Sequence, residues 1–192
     1  MDTQRTVVIL GHPDASSFTG HLASEFIAAA EEAGREVRIF RLGEMDFDPV
    51  LHHGYRKRQE LEPDLVELRD AITWASHLVF FYPIWWGDMP ALLKGALDRV
   101  LQPGFAFKYR KDSPLWDRLL AGRSGRVFTT MDTPPWYFWW IQRPSGHRIL
   151  KHNILGFCGI RPVKFHSIGP VRSSTAERRA RWVEQVRSIA AR

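Results

Sequence analysis

Two loops in this chain carry side chains suited to gripping a ligand. The first is Gly11-His12-Pro13-Asp14-Ala15-Ser16-Ser17-Phe18-Thr19-Gly20. It follows an apolar run and leads into a helical pattern. Its hydroxyls and free backbone N–H groups therefore stand at a helix N-terminus, where hydrogen bonds and the helix dipole can hold a phosphate. Capping of the helix by Ser17 or Thr19 accounts for the same hydroxyls. The loop is neither Gly-x-Gly-x-x-Gly nor Gly-x-x-x-x-Gly-Lys-Ser/Thr, so a dinucleotide fingerprint and a P-loop are both absent. The second loop is Pro83-Ile84-Trp85-Trp86-Gly87-Asp88-Met89-Pro90. It joins the apolar run 78–82 to a helix opening at Pro90. Two indoles at the carboxyl end of a strand suit a flat, conjugated ligand, in the place where open α/β sheets bind. They equally suit a cover over the end of the sheet.

Other chemistry-bearing residues read more plainly. His52 and His53 lie in a polar loop with no His-x-His or His-Glu-x-x-His pattern, so no metal site is expected. The single cysteine, Cys158, excludes an internal disulfide and a Cys-rich metal site. Its setting, Gly156-Phe157-Cys158-Gly159-Ile160, suits a small packed hydrophobe rather than a reactive thiol. Ser16-Ser17 belongs to no Gly-x-Ser-x-Gly elbow, which argues against a hydrolase.

The elements that must position these loops alternate along the chain. The β-branched run 6–10 is a strand covered on both faces. A helix over 19–33 carries Leu22, Phe26, Ala29, Ala30 and Ala33 at helical spacing and stops at Gly34. Strands follow at 37–40, 78–83, 126–130 and 163–168. Helices are expected near 64–75, 90–101 and 144–157, and the stretch 102–124 reads as irregular. Ser174-Thr175-Ala176-Glu177 has the form of a capping box for a last helix, whose Trp182, Val186 and Ile189 share a face. Five βα units without a break imply one domain over 1–192, with a parallel sheet and helices on both faces.

Bulk composition narrows the function classes. The net charge is +6, from 27 Lys/Arg against 21 Asp/Glu, with the basic excess largely at 108–126, 143–151 and 172–192. That suits anionic small ligands and is no nucleic-acid footprint by itself, so no nucleic acid is expected. No signal peptide and no apolar stretch of roughly 20 residues is seen, so the expectation is a cytoplasmic protein without membrane insertion.

Gly11-His12-Pro13, the motif from Pro83 through Pro90-Ala91-Leu92-Leu93-Lys94-Gly95 and Asp98-Arg99-Val100, and Gly104-Phe105-Ala106-Phe107 together support a family reading. They resemble the flavodoxin-like NAD(P)H:quinone oxidoreductases, the family of DT-diaphorase and its bacterial relatives, over about residues 6–190. The resemblance implies a flavodoxin-like three-layer fold with five parallel strands in the order 2-1-3-4-5. It implies a flavin whose phosphate lies near His12, Ser17, Phe18 and Thr19. The ring would rest on Pro83, Ile84, Trp85, Trp86 and Gly87, whose backbone N–H groups meet its polar edge. Thr129 and Thr130 match a flavin-contact pair at the end of the fourth strand. Tyr137 matches a tyrosine facing nicotinamide or quinone. Phe107, Tyr109 and Phe157 match aromatic positions that cover the site from the other subunit of a homodimer.

The implied reaction is hydride transfer from NAD(P)H through FMN to a quinone-like acceptor, in a ping-pong cycle. FAD is the larger alternative, and the short chain favours FMN. Two departures stand out. Met131 and Asp132 occupy the cofactor loop where the family commonly has Gly-Gly, and Arg143 replaces the family's histidine, with His147 four residues further on. Either Arg143 or His147 is expected to offset negative charge. Five aromatics in the five positions 136–140 would line the pocket or form a dimer contact. The alternative function is that of an ancillary subunit of a potassium-efflux system, as some flavodoxin-like relatives are.

Overall fold

The computed structural model describes residues 4–192. In chain order it runs β1 (Arg5–Leu10), α1 (Phe18–Glu32), β2 (Glu36–Arg41), α2 (Pro63–Trp74), β3 (His77–Pro83) and α3 (Ala91–Val100). A short antiparallel hairpin, β4 (Phe107–Tyr109) with β5 (Trp116–Arg118), precedes β6 (Ser124–Thr130). The chain then coils through α4 (Pro135–Tyr137), a π-helical stretch Phe138–Gln142, α5 (Ser145–Arg148), a second π stretch Ile149–Leu155 and α6 (Gly156–Cys158). It closes with β7 (Val163–Ile168) and α7 (Ala176–Ala190).

Five strands form one parallel sheet in the order β2-β1-β3-β6-β7. Numbered among themselves these are 2-1-3-4-5, the flavodoxin-like order. The central strand β3 is buried at all seven positions, which is why its sequence reads as a continuous apolar run. On one face α1 and α7 cover Val8, Leu10, Val79, Phe81 and Phe128. Phe26 of α1 meets Phe81 and Phe128 edge-on at 5.7 Å, and those two rings stack at 4.6 Å. On the other face Leu65, Leu68 and Ile72 of α2 and Leu93 and Leu97 of α3 pack with Leu150, Leu155 and Cys158.

Three local details depart from the sequence reading. The stretch 102–124 holds the β4–β5 hairpin, whose three-residue strands are too short to show a period. The expected helix over 144–157 alternates between α and π turns, so no single face runs along it. Thr175 rather than Ser174 caps α7, accepting from the Arg178 N–H, while Ser174 donates its hydroxyl proton to the Val171 carbonyl. Gly34 does end α1, at φ 78°, where left-handed backbone favours glycine.

Candidate functional site

The β1–α1 loop is pinned by its own hydrogen bonds. The Asp14 carboxylate accepts from the Ser16 N–H at 2.8 Å and the Ser16 hydroxyl at 2.7 Å, and these bonds hold it below its ordinary pKa. The Asp14 N–H donates to His12 Nδ1 at 2.9 Å. Ser17 is the N-cap of α1, its Oγ accepting from the Gly20 N–H at 3.2 Å. Helical geometry leaves the Phe18 and Thr19 N–H groups without an intrahelical acceptor, so the loop presents donors to an anion. Thr19 points inward instead: its hydroxyl lies 2.6 Å from that of Thr130, buried between the two loops.

The β3–α3 loop is a tight turn. Trp85 and Asp88 exchange backbone hydrogen bonds at 2.9 and 3.0 Å, with Trp86 (φ 52°) and Gly87 (φ 83°) at the tip, both left-handed. The Ile84 N–H donates to the Thr130 carbonyl at 2.8 Å. Ile84 and Trp85 thus spend their N–H groups inside the protein, and Trp86 and Gly87 keep theirs at the tip. Trp85 is partly exposed with its ring edge-on to His12 at 5.7 Å, and Trp86 is fully exposed. Asp88 accepts from the Met89 N–H at 2.7 Å, closing the entry to α3.

At the end of β6, Thr129 and Thr130 are buried as the sheet predicts. Met131 extends the ladder: its N–H donates to the Ile168 carbonyl at 2.9 Å, and its carbonyl accepts from Val171 at 3.0 Å. Its side chain is buried against Gly169. The Met131 N–H is therefore spent inside the sheet. Asp132 turns away similarly, accepting from the Arg172 N–H at 2.8 Å.

The coil after β6 forms a roof. A Cβ on Gly146 would stand 2.5 Å from Asp88 Oδ1 and 2.9 Å from the Gly87 carbonyl oxygen, so the roof rests directly on the β3 loop. Tyr137 is partly exposed, and Arg143, at φ 50°, is exposed. His147 is sealed among Phe138, Trp139 and Phe165, at 5.1, 5.5 and 4.4 Å, and neither ring nitrogen has a partner. Burial lowers its pKa to about 4, so it is neutral at pH 7. The expectation that His147 offers positive charge therefore fails, and of the two candidates only Arg143 carries it.

His77, whose Nδ1 lies 2.7 Å from Ser124 Oγ, is also lowered to about 4, by burial and then by Arg126 and Arg35. Both histidines take up protons on unfolding between pH 4 and 6.5. Their contribution is full above pH 6.5 and is lost as pH falls toward 4, up to about 3 kcal/mol for each. Urea unfolding at pH 7.5 and 4.5 should show this loss, and His147→Phe should flatten the slope. An unchanged slope in that variant would refute the assignment.

Phe107, Tyr109 and Phe157 come together, but away from the strand-end loops of the same chain. Phe107 meets Tyr109 at 5.3 Å and Phe157 at 4.9 Å, and Phe157 stacks on Trp116 at 4.3 Å. With Leu97, Leu101 and Ile154 they line a groove of about 390 Å³. Cys158 borders it, its thiol pushed up to about 11 by burial and so unreactive. The role of Arg99 was not visible in sequence: fully buried, it latches the loop before α2 through Glu60 and Glu62.

The model of the flavodoxin-like fold family matches residues 4–190. The chain belongs to this family. It is 26% identical over 223 residues to ribosyldihydronicotinamide dehydrogenase (quinone) of Rattus norvegicus, covering 98% of this chain and 93% of that protein. Smu.1420 from Streptococcus mutans UA159 superposes with a TM-score of 0.80 at 30% identity, covering 97% of this chain and 98% of the other. An FMN-dependent NADH-azoreductase from Bacillus anthracis, solved in complex with FMN, has a TM-score of 0.75, covering 97% of each chain. Its 20% identity makes that likeness one of fold.

Proposed function

We propose that this chain is a flavin-dependent oxidoreductase passing a hydride from NAD(P)H through FMN to a quinone-like acceptor. The observation that carries the reading is the junction at Thr130. Its hydroxyl meets Thr19 at 2.6 Å and its carbonyl accepts from Ile84 at 2.8 Å, so three strand-end loops share one residue. The donor set fits a phosphorylated flat ligand: helix-top N–H groups on one loop, exposed indoles on the next. The name of the rat relative supports a quinone acceptor, and the azoreductase's bound FMN supports the cofactor. When bound, FMN would supply the ring that accepts and returns the hydride.

The protein's own part is position and charge. His12, Ser17, Phe18 and Thr19 would hold the phosphate, and Pro83, Ile84, Trp85, Trp86 and Gly87 the ring. The free N–H groups of Trp86 and Gly87 would stabilise negative charge on such a ring, as preorganised dipoles do. Tyr137 orients the substrate from the roof, and Arg143 attracts its negative charge. The apolar groove at Phe107, Tyr109 and Phe157 is the surface where a second subunit would seat, giving a cytoplasmic homodimer.

A visible absorption spectrum of the purified protein tests the cofactor. A colourless protein that takes up neither FMN nor FAD refutes it. Steady-state rates with NADPH and a benzoquinone should give parallel double-reciprocal lines, whereas intersecting lines mean a ternary complex. Tyr137→Phe is expected to lower turnover about ten- to a hundred-fold with flavin content intact. Loss of flavin instead would move Tyr137 to the cofactor side.

A further inference from the structure

The amino-terminal end of the sheet, opposite the strand-end loops, carries a cluster of cations that the proposed reaction does not use. His77 opens β3, Ser124 opens β6 with Arg126 two residues on, and Lys164 is the second residue of β7. The parallel registers set His77 beside Ser124 and Arg126 beside Lys164. Alternation along the strands puts all four on the face that α1 and α7 cover. Arg35, just past α1, and Arg192, just past α7, complete the group. These six residues line a cavity of about 170 Å³.

Four of the six are cations, and among the described residues none of them has a side-chain carboxylate within 4 Å. Glu25 and Glu32 of α1 are committed to Arg187. Glu36 alternates onto the other face of the sheet, since Val37 and Ile39 pack with α1 and α7. Counting Asp2, outside the described residues, and the terminal carboxylate against the four cations leaves two charges uncompensated. A helix C-terminus favours a cation, which accounts for Arg35 and Arg192. It does not account for Arg126 and Lys164, side by side on strands roughly 4.8 Å apart. Arg126 is half-buried, and burial, then Arg35 and Arg192, push its pKa below the ordinary arginine value. Arginine is rarely taken out of water without a partner, and an anion in the cavity supplies one.

We propose that this cavity binds a phosphoryl group, either inorganic phosphate or the terminal phosphate of a small monoester. Guanidinium forks match phosphate oxygens, and the Lys164 ammonium adds a point charge. The hydrogen-bonded pair of His77 and Ser124 adds polar atoms at the cavity wall. Sites that enclose a drug-sized ligand run to roughly 300–1,000 Å³, so this one takes a single phosphoryl group and leaves the rest of any larger molecule outside. The seven residues of β3 set it about 20 Å from the strand-end loops. It is therefore separate from the place proposed for the flavin phosphate. None of its residues borders the groove proposed for a second subunit. The site stands whether or not the chain carries a flavin.

The test is titration of the purified full chain, as isolated, with inorganic phosphate at pH 7, the ionic strength held constant with sodium chloride. Calorimetry reads the binding, and histidine ring resonances of isotope-labelled protein read its place. Saturable binding of a single phosphate is expected. The His77 resonances should move with the same midpoint, while those of His12, in the β1–α1 loop, stay. Glycerol 3-phosphate is the second ligand. Tighter binding than phosphate points to a monoester and weaker binding to the free ion, and either supports the site. Arg126→Gln should weaken binding more than about tenfold. Lys164→Gln, at an exposed position, should weaken it about threefold. Arg143→Gln removes the same charge near the strand-end loops and should change binding less than about twofold.

Absence of saturable binding, unmoved His77 resonances, or a loss in Arg143→Gln equal to that in Arg126→Gln overturns the proposal. So does a short DNA duplex that binds and that phosphate cannot displace, because this pole is then a surface for polyanions. Movement of His12 in place of His77 puts the phosphate in the β1–α1 loop, which overturns this site and leaves the proposed function intact. Circular dichroism checks each variant's fold. If Arg126→Gln does not fold, Lys164→Gln and the His77 resonances decide the question.

Discussion

Arg99→Ala is expected to lower folding stability by about 2–4 kcal/mol, chiefly from two carbonyls losing their charged donor, since Glu62 itself is partly exposed. The side chain is fully buried near the end of α3. Its guanidinium donates to the Asp48 carbonyl, to the Glu60 carbonyl at 2.6 Å and to the Glu62 carboxylate at 2.8 and 3.1 Å. Burial is the largest influence on Glu62 and raises its pKa. The Arg99 hydrogen bond and the smaller contributions outweigh it and hold the carboxyl below its ordinary value. Alanine leaves two carbonyls without a donor and the loop before α2 without its anchor. Lysine cannot substitute, since one ammonium lacks the planar fork that reaches three acceptors. Urea unfolding of the alanine variant beside Arg99→Lys measures the effect, and a loss under about 1 kcal/mol would show the latch to be dispensable. Arg99 lies eight residues past Ala91, about 12 Å down the helix from the strand-end loops. Whatever folded protein remains should therefore keep the flavin affinity that the proposed function requires.

Gly20→Ala should give the opposite pattern, a folded protein with weakened affinity for the proposed flavin. A Cβ there would stand 2.0 Å from the Ala15 carbonyl oxygen and 2.8 Å from its carbon, both backbone atoms. The loop must move to admit it, and Ser17, whose Oγ binds the Gly20 N–H, moves with it. Overpacking of this kind costs about 1–3 kcal/mol. Strain that the ligand-holding geometry must bear weakens flavin binding by about a hundred-fold. Gly34→Ala is the comparison: its φ of 78° strains alanine, but nothing lies within 4 Å. It should lose about 1 kcal/mol of stability and keep its flavin. Flavin fluorescence titration separates the two variants. Full flavin affinity in Gly20→Ala would show that this loop does not hold the phosphate.

The sheet and its loops were legible because burial on both faces writes itself as continuous apolar runs, as at 78–82. The cap of α1 was legible only as Ser17 or Thr19, and the structure gives it to Ser17. The fate of His147 was not. Its neighbours Phe138, Trp139 and Phe165 are gathered by π turns and by a strand twenty residues away, and the 3.6-residue period gives no hint of that. The setting of Met131 was not legible either. It stands where the family commonly has Gly-Gly, and the sequence did not show that its backbone continues the β6 ladder and its side chain is buried. Arg99 stood in a motif matched as a unit, which conceals that one member of it is a buried cation.

Trp86 carries a consequence for how such a protein changes under selection. A bulky residue at φ 52° sits in a backbone region that favours glycine, a strain of about 1–3 kcal/mol held at the tip of the β3 loop. Trp86→Gly would release it. A lineage or a laboratory screen rewarded only for heat resistance would therefore drift toward glycine at this position and discard an exposed indole as it did so. Retention of tryptophan there needs a second pressure, applied by whatever the ring touches.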